Sequence, residues 1–387
     1  MTVTNTIRQH TQTGTSIEQG HFVLTMMPSL YCDLDCPHCY LSKTERRDPT
    51  RLSNHQLDEL MGKIHKYYES TNITHKNIHA YQYGGEPTSM GLGPFTEMLD
   101  ILEQHFKKED NYRLQHTILT SLVEVDLDLW SPLVFERCGG YLQSSYDGRM
   151  RGGAYMRKWD EKMRRANEMG IELGTISVVN ERLLQEGPEN VLDYLIELNV
   201  KEASFLPFMW NEQNDGKKYD KLAPSMNAWS NFMIDLTRHW VKRQAEGQNP
   251  PQIGQMHFIL GQSSFDQNVS NIAGQTLFLL PNGDYALPDY TRGWQEYMNR
   301  FGNGLRKDFS EILRSPKRKQ YLRKQMLRNK NEDCTICPHA GHCVMEFWKD
   351  NKTHDDCFGG RKYVEWLLKN KQEITKHFTG QQTLSLY

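Results

Sequence analysis

Six short segments rich in β-branched and aromatic residues alternate with amphipathic helical stretches over the first half of the chain. This alternation constrains the fold more than any other feature. The strand candidates are His21–Ser29, Asn77–Tyr83, Leu114–Thr120, Gly140–Tyr146, Glu172–Val179 and Glu202–Pro207, each bounded by turn residues. Between them the spacing predicts helices from Ser53-Asn54 to about Ser70, from Pro94 to Phe106, over Tyr155–Met169 and over Pro188–Leu198; the last has proline near its first turn, where a missing N–H costs nothing. Strands separated by helices imply an α/β fold with a parallel sheet. Six βα units within about 190 residues fit a partial (β/α)6 TIM-type barrel better than a closed eightfold one.

The rest of the 387 residues divides by composition. Residues 1–20 read as a polar leader, 21–215 as the barrel and 216–255 as a helical linker. The linker holds a long helix from Ser225 to about Glu246, broken by Gly247-Gln248-Asn249-Pro250-Pro251. Residues 256–370 read as a smaller cysteine-rich domain. It includes a hairpin over Phe278–Tyr285 that turns at Pro281-Asn282-Gly283-Asp284. Residues 371–387 read as a tail. With 46 Lys+Arg against 48 Asp+Glu, the net charge is −2, which argues against a globally basic nucleic-acid binder. No apolar run approaches the ~20 residues of a membrane span. The first residues lack the apolar core of a secretory signal, so the expected location is the cytoplasm. In that reducing compartment clustered cysteines point to metal ligands rather than disulfides.

Seven of the eight cysteines fall in two clusters. Cys32, Cys36 and Cys39 follow the first strand in the run Cys32-Asp-Leu-Asp-Cys36-Pro-His-Cys39-Tyr40, with spacing C-x3-C-x2-C. Three thiolates on one tight loop can hold three irons of a 4Fe–4S cluster and leave the fourth open. Zinc, with His38 as fourth ligand, is the alternative. The second strand ends in Tyr83-Gly84-Gly85-Glu86-Pro87. Paired glycines allow positive φ and close backbone approach to a ligand, and Glu86 offers a carboxylate suited to an ammonium group.

With both motifs at these strand ends, the chain resembles the radical S-adenosylmethionine (SAM) enzymes. The resemblance implies that SAM binds the open iron through its amino and carboxylate groups. An electron from the cluster would cleave it to methionine and a 5′-deoxyadenosyl radical that abstracts a substrate hydrogen. It implies a role for Gly84, Gly85 and Glu86, with Tyr40, at the cofactor. Ser145 would serve the SAM ribose, and Val179 and Asn180 would lie near the adenine. Turn-forming roles remain open for Ser121, Asp147 and Asn180. Arg157 reads as a solvated helix charge rather than a SAM contact.

Cys334, Cys337, Cys343 and Cys357 form the second cluster, with spacing C-x2-C-x5-C-x13-C. Four thiolates can complete a 4Fe–4S cluster with no open site, and a zinc knuckle has the same raw appearance. The segment resembles the SPASM domain of radical SAM maturases, which normally carries two auxiliary clusters. Here the position of one inner-cluster cysteine holds Phe347, and none occurs near Asn271–Gly274 or Leu287–Asp289. The resemblance therefore implies one auxiliary 4Fe–4S cluster, suited to electron transfer or support. Asp289, next to a missing cysteine, is the candidate general base, with a plain hairpin-end role as the alternative; Tyr290 is weaker. Cys138 reads as a small core residue. The basic stretch Arg306–Lys330 reads as a solvated helix leading into the cysteine domain.

The expected activity is thus radical SAM modification of a peptide or protein by crosslinking, oxidation or epimerisation. Modification of a small-molecule natural product such as an amino sugar or amino acid is the alternative, and a non-catalytic zinc or Fe–S module is the alternative of another class. Only 31 residues precede Cys32, too few for a winged-helix leader-binding domain. A peptide would then need a separate recognition partner or direct binding in the barrel. A flavodoxin- or ferredoxin-type protein is the expected electron donor.

Overall fold

The computed structural model describes residues 15–209, 213, 217–261, 272–288, 298–327, 336–339, 357 and 359–378. All six foreseen strands form: β1 (His21–Met26), β2 (Lys76–Gln82), β3 (Tyr112–Thr120), β4 (Tyr141–Ser145), β5 (Glu172–Val179) and β6 (Glu202–Pro207). Each pairs in parallel with the next, from His21 opposite Asn77 through Val179 opposite Pro207. Further strands β7 (Gln252–Ile253), β8 (Thr276–Leu279), β9 (Asp284–Pro288) and β10 (Met298–Asn303) bring the sheet to ten, in the order β10-β9-β8-β1-β2-β3-β4-β5-β6-β7. The partial α/β barrel predicted from the alternation is therefore present.

Helices cover the outer face. Helix Asn54–Glu69 opens on a capping box, Ser53 and Gln56 each accepting the other's backbone N–H, and buries Leu57, Leu60, Met61 and Ile64 against the sheet. The helix between β3 and β4 was not foreseen. Leu127–Cys138 joins β3 to β4 with Pro132 inside it, and an internal proline reads in sequence as a helix breaker. Asp126 caps its start and Gly139, at φ +63°, ends it. Cys138 is buried at its last position and joins the apolar core.

The hairpin forms close to its expected place, with Leu280 N–H donating to the Asp284 carbonyl at 2.9 Å. Its partner could not be read locally: β8 lies parallel to β1, so the hairpin and β10 continue the barrel sheet. Likewise the long helix Met226–Ala245 is packed into the shell. Trp229, Met233, Leu236 and Trp240 are buried, and Thr237 Oγ1 lies 2.9 Å from Tyr363 Oη on helix Arg361–Lys369. In the basic stretch Arg318 is buried, donating to the Leu313 carbonyl and to Thr15 Oγ1; its neighbours Lys317 and Lys319 are exposed as expected. Among the described residues no helix is long and apolar enough to cross a membrane.

Alternation within the strands sets the two faces. On β2, Ile78 and Ala80 face the helices, while His79 and Tyr81 face the lumen. There His79 Nε2 lies 2.9 Å from Thr117 Oγ1. The Tyr81 hydroxyl meets Gln143 Oε1, and Gln143 reaches the Tyr141 hydroxyl, which donates to Glu202 Oε2 at 3.2 Å. Gly174 on β5 makes this crossing possible, because a Cβ there would overlap the Tyr141 hydroxyl.

Candidate active site

The chain leaving β1 runs directly into the cysteine loop at the carboxyl edge of the sheet, where parallel α/β folds place ligands. Pairing of β1 and β2 continues past the strands: Tyr83 N–H donates to the Met26 carbonyl and Glu86 N–H to the Tyr31 carbonyl, both at 2.9 Å. The glycine pair exists for this approach. A Cβ on Gly84, at φ +124°, would sit 2.5 Å from the Ser29 carbonyl oxygen, and one on Gly85 would overlap the Leu30 and Tyr31 carbonyls. Both glycines are thus demanded by the cysteine loop's own backbone.

Glu86 is buried and held in place. Its Oε1 accepts from Thr88 Oγ1 and Thr120 Oγ1, both at 2.7 Å, and its Oε2 from Ser121 N–H at 2.7 Å. The next residue, Leu122, is buried with φ +69°, a conformation a branched side chain tolerates only under constraint. Beside the carboxylate, Ser121 Oγ is buried with no partner among the described residues. Glu86 is therefore oriented in advance for a donor group, with a hydroxyl waiting next to it.

The three thiols face one another and two cations, Arg46 and Arg151. Burial pushes Cys32 up to about 12 and Cys39 up to about 11, each thiol further raised by neighbouring cysteines. Burial also raises Cys36, opposed by Arg151. Arg151 donates to Cys36 Sγ at 3.3 Å, to Asp147 Oδ2 at 2.6 Å and to the Tyr155 hydroxyl at 3.2 Å. Asp147 accepts from Val178 N–H at 2.6 Å. Burial alone would raise its carboxyl, but Arg151, His38 and that N–H together hold it below the usual range. His38, the candidate fourth zinc ligand, turns its Nε2 toward Asp147 at 3.5 Å, and burial lowers it to about 4.

This donor set fits a 4Fe–4S cluster. It offers three half-buried cysteines, cationic donors to offset thiolate charge, and a pre-oriented carboxylate beside the loop. Among the described residues no three cysteine, histidine or carboxylate groups crowd around one ion-sized point. A cubane takes its thiolates at separate irons, so that spread is compatible with it.

The other expected residues are placed as follows. Tyr40 stacks on Tyr83 with ring centroids 6.4 Å apart, and Tyr83 on Tyr81 at 6.3 Å. Ser145 ends β4, and its hydroxyl has no hydrogen-bond partner among the described residues. Val179 is buried at the end of β5. Asn180 spends its side chain locally, accepting from the N–H groups of Arg182 and Leu183 and donating to the carbonyls of Asp147 and Val178; only its backbone is left for a ligand. Arg157 is exposed. Cys337 and Cys357 both act electrostatically on Arg361 at the start of helix Arg361–Lys369. Cys334, Cys343, Phe347, Asp289 and Tyr290 lie outside the described residues. Sequence reading missed Arg151, whose signal is an arginine four residues beyond a strand-end aspartate.

No protein-family model and no curated protein sequence matches the chain. Among solved structures, anSMEcpe with bound AdoMet superposes with a TM-score of 0.73 at 16% identity, over 93% of this chain and 97% of that one. The chain has the radical SAM partial-barrel fold. Native anSMEcpe with bound AdoMet and Kp18Cys peptide gives 0.71 at 16% identity, over 92% and 99% of the two chains. Streptococcus suis SuiB bound to precursor peptide SuiA gives 0.59 at 14%, over 87% and 74%. With 93% of this chain included, the superposition extends beyond the six barrel units.

Proposed function

We propose that the protein is a radical SAM enzyme that modifies a peptide. The observation that carries this reading is the three-cysteine loop at the end of β1, set by backbone pairing against the Gly84-Gly85-Glu86 turn. A 4Fe–4S cluster on Cys32, Cys36 and Cys39 would supply the electron that cleaves SAM to methionine and a 5′-deoxyadenosyl radical, which takes a substrate hydrogen atom. Glu86, fixed by Thr88, Thr120 and Ser121, orients the SAM ammonium. The hydroxyl of Ser145 serves the ribose, and the backbone of Val179 and Asn180 borders the adenine. Tyr40, stacked on Tyr83, is the proposed aromatic neighbour of the cofactor beside the loop.

The peptide assignment draws on the fold shared with anSMEcpe and SuiB, both solved with peptides. We further propose that residues 256–370 act as a SPASM-like unit. In it Cys334, Cys337, Cys343 and Cys357 hold one auxiliary 4Fe–4S cluster; their C-x2-C-x5-C-x13-C spacing supports this. Asp289 is the proposed base that removes a substrate proton, and a flavodoxin- or ferredoxin-type protein the proposed electron donor. The test is anaerobic reconstitution, followed by iron and zinc analysis and assay of 5′-deoxyadenosine with dithionite and SAM. About eight irons per chain are expected for two 4Fe–4S clusters. Zinc without iron, or no 5′-deoxyadenosine, overturns the reading. A mass change in a co-expressed short peptide supports the peptide substrate; turnover only with amino sugars or free amino acids replaces it.

A further inference from the structure

Among the described residues, Arg151 is the cationic side chain that donates to the sulfur of a candidate cluster ligand. It leaves the short turn Gly148–Arg151 after β4, and its side chain is only 7% exposed. Three contacts fix the guanidinium. Nε binds Asp147 Oδ2, Nη1 binds the Tyr155 hydroxyl, and the tyrosine ring lies 5.1 Å from the guanidinium carbon. Tyr155 is itself anchored to the Ser121 carbonyl at 3.0 Å. Asp147 is anchored to Val178 N–H. With these anchors just past β3, just past β4 and on β5, Arg151 Nη1 reaches Cys36 Sγ at 3.3 Å. A buried arginine needs a carboxylate partner, and Asp147 meets that need. The contact to sulfur is additional, and it requires the planar fork that lysine lacks.

Hydrogen bonds to ligating sulfur and nearby positive charge both stabilise the more negative, reduced state of an iron–sulfur cluster. We propose that Arg151 is a positioning residue that holds Cys36 Sγ by an N–H···S contact and raises the reduction potential of the cluster on Cys32, Cys36 and Cys39. This rests on the radical SAM reading above. The role concerns the sulfur ligand and is present before SAM binds.

The test is a redox titration of the reconstituted full-length enzyme without SAM, followed by electron paramagnetic resonance, for native protein, R151Q and R151K. The signal that changes on adding SAM identifies the cluster concerned, and any second cluster serves as an internal reference. The R151Q midpoint is expected to move negative. At the potential where half the native cluster is reduced, its reduced-to-oxidised ratio falls about tenfold, with the reference unmoved. R151K keeps the charge and loses the fork, so its midpoint falls between the two. Should R151Q fail to take up iron because Asp147 is left unpaired, R151K decides alone: a native midpoint in R151K overturns the proposal. So does R151Q with native iron and native midpoint. A variant altered only in SAM affinity assigns Arg151 to SAM instead and also overturns it. Failure of the native protein to form any low-potential cluster overturns the radical SAM reading itself, a different result.

Discussion

The floor and the rim of the barrel lumen both bury polar side chains, but they close their hydrogen bonds in different ways. On the floor, Tyr81, Gln143, Tyr141 and Glu202 satisfy one another across β2, β4 and β6, and a missing side chain at Gly174 provides the room. At the rim, charges gather: Glu86, Asp147, Arg151 and Arg46 surround three thiols that burial keeps protonated. Some rim groups remain without partners among the described residues, as Ser121 Oγ does. A closed network fixes shape, whereas an open one in a dry site is a place for a ligand. The amino end of such a barrel is expected to carry stability and the carboxyl end chemistry. The comparison is broken if rim variants only destabilise or floor variants only abolish activity.

The largest effect is expected at the rim. Cys36→Ala removes one of three thiolates, and 5′-deoxyadenosine formation should fall to background while circular dichroism stays native. If the variant still cleaves SAM at the native rate, the loop is not the cluster site. Next comes Gly85→Ala. Its Cβ would meet two backbone carbonyls that belong to the cysteine loop, and backbone cannot step aside as a flexible side chain can. A loss of about 3 kcal/mol or more in urea unfolding is expected, together with reduced iron content. An unaffected stability would mean that the loop yields freely, and the rim would not be held by backbone pairing.

The ladder β1 to β6 was legible because each parallel strand pairs with its sequence neighbour and carries a local period. The two motifs were legible because their spacing lies within one loop each. What was not legible depends on contacts between distant residues. The pairing of β8 with β1 joins Thr276 to Val23, and no local pattern states which edge a hairpin will choose. The Arg151 contact to Cys36 spans 115 residues. The carbonyls packed against the glycine pair were hidden for the same cause: sequence shows that a side chain is absent at Gly84 and Gly85, not what occupies its place. Helix Leu127–Cys138 was missed for a local reason, since its packing overrides the penalty of Pro132.

The floor offers a smaller and more specific test. Gly174→Ala places a methyl group where the Tyr141 hydroxyl lies, and overpacking of this kind costs about 1–3 kcal/mol. Tyr141→Phe removes that hydroxyl and its bond to Glu202, at about 1 kcal/mol. In the double variant the two losses should not add, because the atom that clashes is gone. Rescue is expected to be partial, since the ring carbon bearing the hydroxyl would still lie 2.9 Å from the new Cβ. Strict additivity would show that Gly174 serves some purpose other than making room for Tyr141.

The smallest effect is a change of slope with pH, and it asks whether the lumen is dry. Burial, aided by the charge of His116, lowers His79 to about 4. An unfolded histidine titrates near its ordinary value of about 6.5. Between those two values the unfolded chain binds a proton that the folded chain refuses, so stability falls as pH drops from 6.5 toward 4 and is fully present above 6.5. His38 shares this behaviour, with its own value of about 4, so the native slope contains both residues. His79→Gln removes one of the two. Between pH 6 and pH 5 its unfolding free energy should fall by about 1 kcal/mol less than that of the native protein. An unchanged slope would place His79 in contact with bulk water. The lumen beneath the rim would then be a solvent channel, and the self-satisfied network of Tyr81, Gln143 and Tyr141 would no longer act as its floor.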